Sequence, residues 1–73
     1  MYEQRARDIL AKNIKKYRKN NKISQEKLSE FLDTTAQEIF KIEHSDINAT
    51  IDYIGRIADV LNVSLEQLFS EEM

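Results

Sequence analysis

Apolar residues recur at three- and four-residue intervals in five successive stretches of the chain, the spacing that gathers side chains on one side of an α-helix. In the first stretch Ala6, Ile9, Leu10, Ile14 and Tyr17 share a side and leave most lysines and arginines on the others, which predicts a helix over about 3–20. Asn20-Asn21-Lys22 breaks the period. Ser24 then stands before Gln25-Glu26-Lys27-Leu28 as a capping hydroxyl stands before acid in a first turn. A short second helix is expected over about 24–32, burying Leu28 with Phe31 or Leu32. Asp33-Thr34 forms a tight link. Thr35-Ala36-Gln37-Glu38 has the spacing of a capping box, in which hydroxyl and carboxylate each satisfy an orphan backbone N–H, and opens a third helix, about 35–44, through Ile39 and Ile42.

Ser45 to Ala49 read as a polar loop. Thr50 caps a fourth helix, about 50–61, whose Ile51, Ile54, Ile57, Ala58 and Leu61 fall on one face. Gly55 lies on the same stripe. A glycine there costs about 1 kcal/mol relative to alanine, so it is expected to mark the close approach of another helix. Asn62 closes the fourth helix, and Ser64 opens a last one, about 64–70, carrying Leu65, Leu68 and Phe69.

Composition narrows the class. The 73 residues include one glycine, no proline and no cysteine. A β-rich domain of this size needs turn glycines and prolines that are missing, and no disulfide or thiolate–zinc site can staple the chain. The expectation is one all-α domain over residues 1–73, a compact five-helix bundle. The charged N-terminus lacks the apolar run of a signal peptide, and no stretch approaches the roughly 20 apolar residues of a membrane span. A soluble, cytoplasmic protein with no membrane contact is expected.

The formal net charge of −2 hides a division. Residues 1–27 carry nine lysines and arginines against three carboxylates, a balance of +6; residues 28–73 carry Lys41 and Arg56 against ten, a balance of −8. One end is basic enough to meet phosphates. The bland alternative is a solvated lysine-rich helix face.

Two short helices joined by a tight turn, the second capped and bearing polar side chains, match the arrangement that reads the major groove. With Ile39 and Ile42 facing the core at i and i+3, Ala36, Gln37, Phe40 and Lys41 are left outward. Gln37 offers the donor and acceptor that bidentate reading of adenine requires, and backbone N–H groups beside Gln25 suit a phosphate. Phe40 is unusual on such a face: it either packs against a thymine methyl or marks a protein-binding surface.

Four stretches in unbroken register also resemble the Cro and phage-repressor (Xre) family of helix-turn-helix domains: residues 14–19, Ile23-Ser-Gln-Glu-Lys-Leu28, Thr35-Ala-Gln-Glu-Ile-Phe-Lys-Ile-Glu43 and residues 57–69. The resemblance implies a lambda-repressor-like fold of prokaryotic or phage type, with the helix-turn-helix formed by helices two and three. It implies that Gln25 touches phosphate and braces the recognition helix. Thr35, Ala36, Gln37 and Lys41 stand where the family reaches bases or flanking phosphates. Arg18 and Glu43 resemble an internal ion pair tying the first helix to the third. The chain departs from the pattern where Asp33 and Ser45 replace glycines, and where Asp46-Ile47-Asn48-Ala49 makes acidic a loop that is often basic.

The function expected from these readings is a transcriptional repressor that binds double-stranded DNA. The alternative is an antitoxin or anti-repressor on the same fold, whose partner is a protein such as a toxin. No enzyme activity, catalytic residue, metal or cofactor is expected: His44 has no carboxylate pair framing it and reads as a capping or surface residue, and no glycine-rich phosphate loop exists. A single recognition helix reads too few base pairs to single out a genomic site. A homodimer on a pseudo-palindromic operator is therefore expected, with Val60, Leu65 and Phe69 as its contact surface.

Overall fold

A computed structural model describes residues 2–71 as five helices: α1 Tyr2–Asn20, α2 Gln25–Phe31, α3 Ala36–Glu43, α4 Ile51–Leu61 and α5 Leu65–Leu68. Among the described residues there is no strand. Of the acidic pair at the end of the chain, Glu71 is exposed and reaches Arg5 of α1, while Glu72 lies outside the described residues.

Four of the five helices begin with a hydroxyl cap. Ser24, Thr35, Thr50 and Ser64 stand in extended backbone, and each side-chain oxygen accepts from the backbone N–H three residues on, at Lys27, Glu38, Tyr53 and Gln67. These caps lie just outside the helices, so α2 to α5 begin one residue later than the periodicity suggests. The full capping box expected at Thr35 and Glu38 is not formed. The reciprocal bond occurs instead at α5, where the Ser64 N–H donates to Gln67 Oε1 at 2.8 Å. Glu38 instead lines a groove with Tyr53 and Arg56.

The first four helices end in the same way. Lys22, Asp33, Ser45 and Asn62 adopt left-handed φ values of 57°, 57°, 69° and 59°. In each case the following N–H reaches back five residues, Ile23 to Arg18, Thr34 to Ser29, Asp46 to Lys41 and Val63 to Ala58. These are Schellman closures, usually completed by glycine, here made without one.

The core comprises Leu10, Ile14, Leu28, Leu32, Ile39, Ile42, Ile47, Ile54, Ile57, Ala58, Leu61 and Leu68, each large aliphatic residue contributing about 1.5–3 kcal/mol by leaving water. Several assignments differ from the periodicity, and one of them is Ala6, which is exposed although it shares the apolar stripe of α1. Ile47, in the loop read as polar, is buried, and it pins that loop to the bundle. Ile51, expected on the core stripe of α4, is 62% exposed: it sits in the first turn, at the stripe's edge, and nothing covers it. Gly55 is no close-approach point, because a Cβ built on it meets no atom within 4 Å.

Candidate nucleic-acid interface

The α2–α3 unit is joined by a short turn over residues 32–35 with Asp33 in left-handed backbone, and Leu28, Leu32, Ile39 and Ile42 of this unit are buried in the core. On α3 the inner face holds Ile39, Ile42 and Glu43, all buried. At about 100° per residue, Ala36, Gln37, Phe40, Lys41 and His44 fall on one outward stripe. Ala36 is half-buried, and the other four are exposed. Among the described residues Gln37 and Lys41 have no side-chain partner in the protein, so their polar atoms are free for a ligand. The Thr35 hydroxyl accepts the Glu38 N–H at 3.1 Å and keeps its own proton to donate.

The inner side of α3 is fixed by charge. Arg18 Nε donates to Glu43 Oε2 at 2.6 Å, and another guanidinium nitrogen donates to Oε1 at 3.0 Å. The third nitrogen reaches the Ile23 carbonyl at 2.8 Å. Gln25 Nε2 donates to the same Glu43 Oε1 at 3.0 Å, which ties the start of α2 to the end of α3. The pair is nearly dry, with side-chain exposures of 10% and 1%. No buried polar side-chain atom among the described residues lacks a partner. Gln25 has a second amide hydrogen beyond the one given to Glu43.

His44, read from sequence as a cap or a surface residue, is the C-cap of α3 and also extends its outward stripe. Its ring stacks on Phe40, with centroids 4.0 Å apart and planes at 26°. The signal available in the sequence was the i, i+4 spacing of two aromatic rings. Asn13, also passed over, is buried in α1 and donates through Nδ2 to the carbonyls of Leu68 and Ser70 at 2.7 and 2.8 Å.

The basic charge of α1 is placed less directly than its sum suggests. Lys12, Lys15, Lys16 and Lys19 are exposed on the side of α1 opposite its buried Leu10, Ile14 and Arg18, and it is through Arg18 that α1 grips α3. So placed, they act on the outward face of α3 only as a field, felt within about 10 Å at 0.1 M salt. Nearer the stripe, Arg7 lines one groove with His44, Asp46 and Asn48, so a cation stands beside the acidic loop. Tyr53 of α4 lines a groove with Thr34 of the α2–α3 turn, and burial pushes its phenol above its ordinary pKa.

At the other end, Ile51, Gly55, Val63 and Leu65 line a shallow groove flanked by Asp52 and Asp59, and Leu65 and Phe69 are 40% and 39% exposed. Val60 does not share this face. It lies nine residues, about two and a half turns, beyond Ile51, on the far flank of α4, where it packs against the core. Among the described residues no three His, Cys, Asp or Glu side chains gather as a metal would need, and no helix is long and apolar enough to cross a membrane.

A helix-turn-helix family model matches residues 14–68. The control protein C.SmaI of Serratia marcescens is 32% identical over 66 residues, covering 90% of this chain and 79% of that protein. The crystal structure of a hypothetical transcription factor, NHTF, from Neisseria superposes with a TM-score of 0.84 at 29% identity, over 93% of this chain and 78% of that one.

Proposed function

The chain belongs to the Cro/C1-type helix-turn-helix family of DNA-binding transcriptional regulators, not enzymes, and on that premise we propose that it represses by seating α3 in the major groove of a specific operator. The observation that carries this reading is the two-sided character of α3. Its inner face is locked by Arg18 and Gln25 through Glu43, while Gln37 and Lys41 stand outward with unused polar atoms. Gln37 is the base-reading residue, set to pair with adenine N6 and N7. Thr35, Lys41 and the second amide hydrogen of Gln25 serve the flanking phosphates, Ala36 allows close approach, and Phe40 faces the base edges. The five helices act as one unit, in the cell compartment that holds the DNA.

Two such units are needed to specify a site, with recognition helices about 34 Å apart in successive major grooves. A two-fold homodimer on a pseudo-palindromic operator meets that need. Its contact surface is Ile51, Leu65 and Phe69, which are exposed apolar residues on the α4–α5 end; Val60 is left out of it. The carboxylates of Asp52, Asp59 and Glu66 around this face keep the contact modest without DNA. The half-exposed Phe31 and Phe40 favour a second reading, in which a protein such as a toxin or an anti-repressor docks on the helix-turn-helix.

Titration of a selected duplex against salt tests the first reading. Affinity should fall with a log–log slope of about −0.9 for each phosphate neutralised. A flat response from low to moderate salt would sink it in favour of the protein-binding alternative.

A further inference from the structure

Phenylalanine on the outward face of a DNA-reading helix has no hydrogen bond to give. Phe40 is 51% exposed, between Gln37 and Lys41 on the stripe. A solvent-facing ring at such a position ordinarily samples several rotamers. Here His44, one turn on, stacks on it at 4.0 Å. The Nδ1–H of His44 donates to the Phe40 carbonyl at 2.8 Å, so the imidazole is itself anchored to the helix end. The two rings form a pre-set aromatic wall.

In the major groove each base edge is a pattern of donors and acceptors, and thymine alone adds an apolar group, the C5-methyl. That methyl is the only base feature a phenyl ring can gain from. A protein-docking patch would surround Phe40 with apolar neighbours, whereas its exposed stripe neighbours are Gln37, Lys41 and His44, and the apolar one, Ala36, is small and half-buried. We propose that Phe40 reads the C5-methyl of a thymine in each half-site, and that His44 is a positioning residue that holds the ring for this contact. The inference rests on the DNA-binding reading above.

The experiment uses the full chain and its best duplex from selection on random sequence, with each thymine replaced in turn by deoxyuridine, which removes the methyl and nothing else. Fluorescence anisotropy should show about a fourfold loss at one thymine per half-site, the factor for burying one methyl group. Phe40→Ala should bind thymine and deoxyuridine duplexes alike. His44→Ala should shrink the ratio, and His44→Phe, which keeps the stack, should restore it. The ratio is insensitive to the folded fraction, so a destabilised variant still reports. Selective binding by the wild type that ignores every thymine methyl overturns the proposal alone, whereas no selective duplex binding overturns the DNA reading with it. A Phe40→Ala variant with unchanged DNA selectivity also overturns it and leaves Phe40 to a protein partner. Full methyl discrimination in His44→Ala removes the role given to His44.

Discussion

Helix α1 grips both ends of the molecule, and it does so by different chemistry. Towards α3 the contact is side chain to side chain and charged, Arg18 on Glu43 with Gln25 attached. Towards α5 it is neutral and ends on backbone, Asn13 on the carbonyls of Leu68 and Ser70. A bidentate guanidinium–carboxylate pair fixes a plane as well as a distance, so it sets how α3 is rotated about its own axis and which residues face outward. The amide of Asn13 fixes only where the end of the chain lies. That suffices for a short helix offering apolar surface, and it would not suffice for one that must hold a stripe of polar side chains in a set direction, as the proposed base reading by Gln37 requires.

The sharpest way to break this comparison is to remove one charge. Arg18→Met or Glu43→Leu alone should cost about 3–5 kcal/mol, because each strands the other charge in a dry site, while the double replacement should cost much less. Urea unfolding of the three variants measures this, and a double-mutant cycle without coupling would show that the pair fixes nothing. Asn13→Leu should cost less, about 1–3 kcal/mol for two carbonyls left without a donor. It should speed amide exchange in α5 and leave the preferred operator sequence unchanged. If the operator preference shifts instead, the two ties are not separable.

On the outer face, Gln37→Ala should lose roughly 1–3 kcal/mol on the specific site and almost nothing on random duplex, with the unfolding midpoint unmoved. Lys41→Ala should weaken all duplexes evenly. Equal losses for Gln37→Ala on both kinds of DNA would take base reading away from it. The smallest effect belongs to the apolar end. Gly55→Ala should gain up to about 1 kcal/mol of helix stability, since the added methyl meets nothing in the protomer. Sedimentation of the same variant sharpens the dimer reading: a gain in stability with a loss of dimer would place a second copy against that groove.

Much of this arrangement was legible in the sequence wherever a period or a local pair carried it. Leu10, Ile14, Leu28, Leu32, Ile39 and Ile42 repeat at helical spacing, and Ser24, Thr35 and Thr50 stand where caps must. The misplaced residues lacked such a signal. Ile47 is one apolar residue among polar ones, with no period to show that it turns inward. Ile51 satisfied the period, but a first-turn position at the stripe's edge is covered only if a neighbour reaches it. Asn13 finds its partners 55 and 57 residues away, and no local pattern distinguishes it from a surface asparagine. A helix-interior glycine has a cost that points to a packing role, and at Gly55 the structure shows the cost without a neighbour to explain it. On the interface, the outward stripe followed from the two isoleucines, but the partnership of His44 with Phe40 depends on a rotamer. The sum of the lysines of α1 does not say which way they face.

The left-handed helix ends have a consequence for how far this chain stands from the best sequence for its own fold. Lys22, Asp33, Ser45 and Asn62 occupy a backbone region that costs a residue with a Cβ roughly 1–2 kcal/mol, less for asparagine and aspartate. The one residue exempt from that cost, Gly55, lies in the middle of α4, where ordinary helical backbone makes its freedom a loss. Moving glycine from position 55 to position 22 would leave the composition almost untouched and improve both places. Natural sequences are held only above a threshold of stability, and the misplaced glycine shows the slack directly. Substitutions on the outward stripe of α3 can then be tolerated, because stability can be recovered at sites that belong to neither that stripe nor the core.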